Sequence, residues 1–369
     1  MGKKKRKQNQ LKQLESKYVY GIYKIPELTK MNLPYGEVII PQNDTVLALE
    51  TLPTKKIKVS TIENNFDILT PQTNLNNSNL LIARYGGVGD IIATLFGIAM
   101  LKKRFQNLRI GYIASPSYSS ILTLFPALVD ELFAPIINIR DLKKYKTICI
   151  LDNTLEIDPE AESKPIQEIY AKHLGISLDK NSVIDLIKKN VATYEKQKRS
   201  GIGIQYTCDV VLRNYNIDNT INLINSIIKE FPDEKIHLLG KPDDFKNINY
   251  IASKVDEKKL VINGCGFPKK SLKDILIAIN SFKVVVGPDS GMLHLAGISS
   301  TPIVGLFGPF PSNLRISYYL NAIGIDAKTD CAPCFKHFPT NFCKYNSGEG
   351  MCLNSIKPEQ IIEQIWKFI

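Results

Sequence analysis

Short apolar runs alternate with amphipathic segments twice along this chain, and this alternation restricts the possible folds more than any other feature. In the first half the apolar runs are "NLLIARY", "RIGYIA" and "KTICILD". The second half starts again with "GIGIQY", "KIHLLG", "KLVING", "FKVVVG" and "TPIVGLFG". The segments between them predict helices, for example over residues 90–105 and 220–231. Strands that alternate with helices are typical of parallel sheets, so the sequence predicts two doubly wound α/β domains.

The 369 residues are enough for two such domains with additions. The predicted segments are a basic tail (1–17), an N-terminal β-rich addition (18–77), a first α/β domain (78–195), a second α/β domain (196–356) and a C-terminal helix (357–369). A polar, lysine-rich stretch near residues 187–200 is the predicted linker. Two doubly wound domains predict a cleft between the carboxyl edges of their sheets, where open α/β folds bind ligands.

The net charge of +11 comes mostly from one end of the chain. Residues 1–17 hold seven Lys or Arg against one Glu, a net charge of +6, which leaves +5 for the rest. A short tail of this kind is typical of a disordered solubilising arm. The alternative is a weak contact with an anionic surface, either a nucleic acid or a lipid.

Hydrophobic residues make up 44% and charged residues 22% of the chain, as in ordinary globular proteins. No apolar run approaches the roughly 20 residues that a membrane-spanning helix needs. The basic N-terminus lacks the apolar segment of a secretory signal. The predicted location is therefore the cytoplasm, with peripheral contact at the inner face of the membrane as an alternative.

A first glycine-rich turn, "ARYGGVGDIIATLF", joins a predicted strand to a predicted helix and contains Gly86, Gly87, Gly89 and Asp90. Glycines allow the backbone to approach a ligand closely, and an acid at a helix start is favoured by the helix dipole. The alternative is an Asp90 that only caps the helix. The turn lacks the G-x-G-x-x-G spacing, and no acid ends the next strand, which disfavours a nicotinamide cofactor.

A second glycine-containing turn lies in "VVVGPDSGMLHLAG", from residue 284 to residue 297. The exposed amides at the start of such a helix are suited to an anionic ligand. Taken singly, Asp289 is also explained as a cap and His294 as a core histidine. Because each predicted domain has one acid-bearing glycine turn, we expect both turns to face one ligand cleft.

Four cysteines are crowded near the C-terminus with the spacing C-x2-C-x8-C-x8-C; they are Cys331, Cys334, Cys343 and Cys352. This spacing suits tetrahedral thiolate ligation of zinc or iron. Disulfides are the alternative, and the lack of a secretory signal argues against them. The sequence predicts one structural metal in the loop 331–352. Cys149, Cys208 and Cys265 lie in apolar contexts and are interpreted as buried structural thiols.

Three stretches of the chain resemble glycosyltransferase family 9, the ADP-heptose:lipopolysaccharide heptosyltransferases and their relatives. They are "LLIARYGGVGDIIATLFGIAMLKKRF", "VVVGPDSGMLHLAGISSTPIVGLFGP" and "CAPCFKHFPTNFCKYNSGEGMCLNSIKPEQI". The resemblance covers about residues 79–369, and D-S-G-x-x-H-L-A is its most specific part. It implies a GT-B fold, in which two Rossmann-like domains face a cleft. It also implies inverting transfer of a sugar from a nucleotide donor, without an essential catalytic metal.

The resemblance implies a role for each matched position. Asp90 would be the general base that acts on the acceptor hydroxyl. Asp289 would hold sugar hydroxyls, while the amides of the following residues approach the diphosphate. The full set of implied donor-binding residues is Gly89, Gln205, Thr207, Arg213, Asp289, Ser290, Gly291, Met292 and His294.

The implied donor is ADP-heptose, and the implied acceptor is a glycan, a lipopolysaccharide core or a protein. A β-rich addition with a four-cysteine loop resembles the iron-binding branch that acts on autotransporter proteins, whereas "PDSGMLHLA" is more similar to the lipopolysaccharide branch. Two alternatives stay open at this point. One is a transferase or epimerase for another nucleoside diphosphate sugar, and the other is a non-catalytic GT-B binding module. The presence of both Asp90 and Asp289 favours an enzyme.

Overall fold

The computed structural model describes most of the chain after residue 66. The described residues are 20–24, 29–33, 36–40, 45–49, 57–58, 67–181, 183–185, 198–240, 244–256, 258–262, 272–299, 301–335, 343 and 350–369. Two compact units are present: Met1–Ala161 with Ile166–Asp179, and Glu162–Pro165 with Lys180–Ile369. The basic tail, most of the predicted linker and the predicted boundary at residue 195 lie outside the described residues.

Short antiparallel strands come first in the first unit. They are β1 (Tyr20–Lys24), β2 (Thr29–Leu33), β3 (Gly36–Ile40), β4 (Thr45–Leu49) and β5 (Ile57–Lys58). β1 pairs with both β4 and β5, while β2 and β3 form a separate two-stranded ladder. A strand from much later in the chain, β10 (Ile136–Asn138), pairs antiparallel with β4. This long-range pairing ties the small sheet to the α/β part of the same unit.

The α/β part of the first unit is a parallel sheet in the order β6–β11–β7–β8–β9. The strands are β6 (Asp67–Ile68), β7 (Asn79–Ala83), β8 (Arg109–Ile113), β9 (Glu131–Phe133) and β11 (Thr147–Ile150). The helices are α1 (Val88–Arg104), α2 (Pro116–Ser119), α3 (Ile139–Leu142), α4 (Thr154–Ile157) and α5 (Ile166–His173), with 3₁₀ turns at Leu122–Leu124 and Pro159–Glu162. The chain runs outward in both directions from β7, so the strand order reverses between β7 and β11.

The second unit is also built on a parallel sheet, in the order β14–β13–β12–β15–β16–β17. The strands are β12 (Ile202–Gln205), β13 (Ile236–Leu239), β14 (Leu260–Ile262), β15 (Val284–Pro288), β16 (Ile303–Phe307) and β17 (Ala322–Asp326). The helices are α6 (Ile217–Glu230), α7 (Phe245–Ala252), α8 (Leu272–Asn280), α9 (Gly291–Ile298), α10 (Asn313–Ile316), α11 (Met351–Asn354) and α12 (Pro358–Ile365), with a 3₁₀ turn at Val211–Arg213. Here the strand order reverses between β12 and β15.

The predicted alternation of strands and helices is confirmed in both units. Central strands are buried along their length, as expected for a sheet covered on both faces; β15 and β16 are examples. The C-terminal helix α12 belongs to the second unit, because Ile361 and Ile365 lie in the same core as β12 and β13. Among the described residues, no helix combines the length and the apolar character needed to cross a bilayer.

Two details differ from the prediction. The helix expected over residues 117–124 is broken into α2 and a 3₁₀ turn. Three serines and the following Pro126 explain the break, because serine competes for backbone hydrogen bonds and proline disfavours helix in the residue before it. The edge strand β17 was not predicted, since its run "AIGID" is half-exposed and only weakly apolar.

Candidate functional site

Asp90 lies in the first turn of α1, close to the carboxyl end of β7. The N-cap of α1 is Gly87, which has no side chain to cap with, and its carbonyl accepts a hydrogen bond from the Ile91 amide at 3.1 Å. The interpretation that Asp90 only caps this helix is therefore wrong. Its carboxylate instead bonds to side chains from two other elements, Arg84 and Tyr170.

These side chains and Asp152 form what we call the Asp90 cluster: Arg84, Asp90, Asp152 and Tyr170. Arg84 Nη2 lies 3.0 Å from Asp90 Oδ2, and Arg84 Nη1 donates to Asp152 Oδ1 at 3.0 Å. Arg84 Nε donates to the Tyr170 hydroxyl at 2.9 Å, and that hydroxyl donates to Asp90 Oδ1 at 2.9 Å. One guanidinium thus contacts two carboxylates and the phenol that lies beside one of them.

The topology explains why these residues meet. Arg84 directly follows β7 and Asp152 closely follows β11, which are the two neighbouring strands between which the strand order reverses. In open α/β sheets such a reversal creates a crevice at the carboxyl ends of the strands. Gly86 is needed for the close approach of the arginine, because a Cβ at this position would lie 2.6 Å from Arg84 Nη1.

The charges in the cluster outweigh burial and favour an ionised Arg84. Burial alone would lower the pKa of Arg84, but Asp90, Tyr170 and Asp152 outweigh it and hold that pKa well above its ordinary value. The side chain of Asp152 is 0% exposed, whereas that of Asp90 is 28% exposed. Asp90 is therefore the carboxylate of the pair that an incoming hydroxyl can reach.

Glu156, in α4, is a further acid next to this cluster. Burial raises its pKa above the ordinary value, against the opposing effect of Arg84. Its Oε2 atom is buried and accepts no hydrogen bond from the described residues. Burial also raises the pKa of Tyr170, so the Tyr170 hydroxyl keeps its proton and acts as a donor to Asp90.

In the second unit, Asp289 follows β15 and forms what we call the Asp289 cluster: Arg213, Asp289, His294, Arg315 and Tyr319. Arg213 Nη1 donates to Asp289 Oδ2 at 3.1 Å, and Arg315 Nε lies 3.5 Å from the same oxygen. His294 Nε2 lies 3.1 Å from Asp289 Oδ1. When Nε2 carries the proton, the other ring nitrogen accepts from the Tyr319 hydroxyl, which lies 2.7 Å away.

Asp289 is 3% exposed, and both of its carboxylate oxygens bind side chains of the same unit. Burial alone would raise its pKa, but Arg315, Arg213 and His294 outweigh burial and hold that pKa well below its ordinary range. This geometry differs from the expected role, in which Asp289 holds sugar hydroxyls directly. It favours a carboxylate that fixes Arg213 and His294 in place.

The start of α9 is the turn that the sequence predicts to bind an anion. Ser290 is the N-cap, and its hydroxyl oxygen accepts from the Leu293 amide at 3.3 Å. The next two residues, Gly291 and Met292, form the first turn and are half-buried. Their amides are among the groups that have no partner inside an α-helix.

The remaining predicted residues of the second unit lie at the carboxyl end of β12. Gln205 accepts from the Ser290 hydroxyl at 3.3 Å through Oε1 and donates to the Thr207 carbonyl at 2.9 Å. Thr207 is buried and donates to Asp244 Oδ2 at 2.9 Å. The structure therefore brings Gln205 beside Ser290, at the reversal point between β12 and β15. Gly89, in the first turn of α1, lies in the other unit.

Sequence reasoning missed six residues of these networks: Arg84, Asp152, Tyr170, Asp244, Arg315 and Tyr319. Two of them carried a usable signal, because Arg84 and Asp152 are charged residues that follow apolar strand runs in "LLIAR" and "ICILD". Tyr170 lies within an amphipathic helix and Arg315 within a short apolar turn, where nothing in the local pattern marks them.

The four-cysteine loop is partly described. Among the described residues, no three His, Cys, Asp or Glu side chains are arranged to hold a metal ion. The six described cysteines are free thiols, so disulfides do not link them in the described part. Burial raises the pKa of Cys352 to about 11, with a smaller contribution in the same direction from Cys331, Cys334 and Cys343. The other three thiols therefore lie near enough to influence Cys352.

The two parallel sheets, each with polar side chains at the carboxyl edge where the strand order reverses, define the fold of the protein, which is GT-B. Residues 188–343 match the sequence model of "Glycosyltransferase family 9 (heptosyltransferase)". This match agrees with the resemblance found in the sequence and supports a glycosyltransferase.

Known proteins agree with this assignment. Lipopolysaccharide heptosyltransferase 1 of Campylobacter coli is 21% identical over 357 residues, which cover 78% of this chain and 97% of that protein. A family 9 glycosyltransferase structure from Veillonella parvula has a TM-score of 0.59 at 16% identity and covers 81% of this chain and 99% of its own. TibC, an iron-containing dodecameric glycosyltransferase of enterotoxigenic E. coli, has a TM-score of 0.55 at 12% identity and covers 95% of this chain and 91% of its own. Identities this low show a shared fold.

Proposed function

We propose that this protein transfers heptose from ADP-heptose to a hydroxyl of an acceptor, with inversion at the anomeric carbon. The observation that carries the proposal is the Asp90 carboxylate, held at the strand reversal of the first unit with 28% of its side chain exposed. The family match and the heptosyltransferases of similar fold support a heptose donor. TibC, for example, has been solved with ADP-D-β-D-heptose.

In this mechanism the acceptor oxygen forms a bond to the anomeric carbon from the side opposite the diphosphate. The hydroxyl proton moves to Asp90, and the bond between the anomeric carbon and the diphosphate oxygen breaks. The electron pair of that bond leaves with ADP. A positioned carboxylate that removes a proton typically accelerates a reaction by about 10²–10⁴-fold. No metal takes part in a step.

The donor belongs to the second unit in this proposal. The amides of Gly291 and Met292 at the start of α9 stabilise the negative charge that develops on the diphosphate. Arg213 contributes a positive charge, and its ion pair with Asp289 at 3.1 Å fixes its position. Gln205, Thr207, Ser290 and His294 belong to the same donor site in this proposal, together with Gly89 in the first turn of α1. We expect Asp289→Ala to weaken donor binding by releasing Arg213.

The decisive variant is Asp90→Asn, which keeps the size of the side chain and its place in α1. We expect wild-type affinity for the donor and a loss of about 10²–10⁴-fold in turnover, because the amide cannot take the proton. Turnover is measured as ADP release from ADP-heptose in the presence of a lipopolysaccharide core or a protein acceptor. Asp130→Asn is a matched control in the same unit, since Asp130 also accepts from a lysine and a backbone amide. Near wild-type turnover of Asp90→Asn would exclude Asp90 as the base.

The donor is tested independently by thermal shift. ADP, UDP, GDP and CDP sugars are compared at equal concentration, because stabilisation follows ligand concentration over the dissociation constant. We expect the largest shift with ADP-heptose. A larger shift with another nucleotide sugar would identify that sugar as the donor instead of ADP-heptose. It would favour the alternative of a transferase for another nucleoside diphosphate sugar.

A structural metal at Cys331, Cys334, Cys343 and Cys352 is part of the same proposal. Its support is the ligand spacing and the influence of the other three thiols on the pKa of Cys352. Four thiolates suit zinc or iron, and such a metal would supply folding energy to the loop rather than chemistry. The cytoplasmic location and the weak anionic contact of residues 1–17 stay predictions.

A further inference from the structure

The Asp90 cluster contains a feature that the transfer reaction by itself does not explain. Asp90 shares the guanidinium of Arg84 with a second carboxylate, Asp152, whose side chain is 0% exposed. A buried carboxylate is costly unless it is paired and hydrogen-bonded. Asp152 is both, because its Oδ1 atom accepts from Arg84 Nη1 at 3.0 Å and from the Tyr85 amide at 2.8 Å.

The shared guanidinium matters once Asp90 takes up a proton. If Arg84 were paired with Asp90 alone, protonation of Asp90 would leave an uncompensated charge on an arginine that is 4% exposed. Asp152 prevents this, because it keeps its own contact with Arg84. The cost of protonating Asp90 is thereby lowered.

Tyr170 has the opposite influence. Its hydroxyl accepts from Arg84 Nε and donates to Asp90 Oδ1, both at 2.9 Å. A donor to a carboxylate stabilises the ionised form. It also fixes the plane of the carboxylate, which leaves the remaining lone pairs aimed in a constant direction. Tyr170 is fully buried, so its position does not depend on solvent.

We propose that Tyr170 and Asp152 are positioning residues for Asp90, Tyr170 by a direct hydrogen bond and Asp152 through Arg84. Tyr170 orients the ionised carboxylate, and Asp152 compensates Arg84 when Asp90 carries the proton. This inference rests on the proposed role of Asp90 as the base, but it concerns two residues that do not touch the acceptor in that mechanism.

The groups that face Asp90 come from five elements of the first unit. Arg84 follows β7, Tyr112 lies in β8, Asp152 follows β11, Glu156 lies in α4 and Tyr170 lies in α5; all of them influence the charges of the cluster. Glu156 is a further carboxyl group of this set, and burial raises its pKa. The titration of Asp90, which is the test of this proposal, is therefore also carried out in a Glu156→Gln background.

The test is the titration of Asp90 itself, which needs no acceptor. The full chain is labelled with ¹³C at the aspartate carboxyl carbons, and the signal of Asp90 is identified by its loss in Asp90→Asn. We expect Tyr170→Phe to raise the titration midpoint by about one pH unit, since it removes one hydrogen bond to the ionised form. Adding Asp152→Asn to Tyr170→Phe should lower the midpoint again by a similar amount, because Arg84 then pairs with Asp90 alone.

Two control variants separate this effect from a loss of stability. Tyr145→Phe removes the hydroxyl of another buried tyrosine in the same unit, and Asp130→Asn removes another paired aspartate. Neither contacts the Asp90 cluster, so both should leave the midpoint of Asp90 unchanged. Shifts of the same sign in Tyr170→Phe and on adding Asp152→Asn, or no shift in either, would overturn the inference. Such a result would leave the base proposal intact, because that proposal depends on the turnover of Asp90→Asn.

Discussion

Replacing Asp289 by Asn tests whether this carboxylate stabilises the second unit through its ion pairs. The side chain is 5% exposed and contacts Arg213 at 3.1 Å, His294 at 3.1 Å and Arg315 at 3.5 Å. Asn keeps the volume but removes the negative charge that Arg213 and Arg315 both contact. Breaking a buried ion pair by removing one partner costs about 3–5 kcal/mol.

The exposure of the partners sets where in this range the effect falls. Arg213 is 24% exposed and recovers part of its hydration, whereas Arg315 is 8% exposed and stacks over Phe310 at 3.8 Å from the ring centroid. We therefore expect the lower end, about 3 kcal/mol in the free energy of unfolding of the second unit. Typical domains have about 5–15 kcal/mol of stability, so the variant should still fold.

The assay uses Trp366, the single tryptophan of the chain. It follows α12 in the second unit and packs on Phe231, with ring centroids 4.7 Å apart, so its fluorescence reports the unfolding of that unit in urea. Asp218→Asn is the control, because Asp218 is exposed in the first turn of α6. A surface change of this kind should stay within about 0.5 kcal/mol.

The pH dependence gives a second criterion. The pKa of Asp289 is lowered in the folded protein, so its stabilising contribution is fully present above the ordinary aspartate pKa of about 3.9 and is lost as pH falls through the lowered value. The difference between wild type and Asp289→Asn should be constant from about pH 5 to 8 and shrink in stronger acid. A difference below about 1 kcal/mol at neutral pH would refute the reasoning.

Three further predictions concern other parts of the chain. Deleting residues 1–17 should leave donor affinity within tenfold of wild type, about 1.4 kcal/mol, because no proposed site residue lies there; a larger loss in titration calorimetry would contradict the partition of the charge. Elemental analysis of protein purified without added metal should find about one equivalent of zinc or iron per chain; metal-free protein whose four loop cysteines all react with a thiol reagent would exclude the site. Gly297→Ala should lower the stability of the second unit by about 1–3 kcal/mol, since the added Cβ would lie 2.6 Å from Cγ of the Tyr319 ring that supports His294; an unchanged urea midpoint of Trp366 fluorescence would show that Tyr319 moves at no cost.

The local sequence pattern was sufficient to predict the parallel sheets and the positions of the two glycine-containing turns. Alternating strands and helices specify a parallel sheet, and each strand-to-helix turn must then lie at a carboxyl edge. For this reason "ARYGGVGD" and "GPDSGMLH" could be assigned to candidate sites, and Asp90, Ser290 and Gln205 do lie at the points of strand reversal. The family resemblance depended on the same two stretches.

The partners of the acids were decided by the tertiary structure alone. Arg84 bonds to residues 68 and 86 positions away, and Arg213 bonds to Asp289 across 76 positions. The pairing of β10 with β4 is equally remote in sequence. Whether a segment forms a strand or a helix follows largely from the spacing of apolar residues within it, so it can be predicted from the local sequence. Which side chains donate hydrogen bonds to a buried carboxylate depends instead on the elements that pack beside it. Only the folded chain brings those elements together.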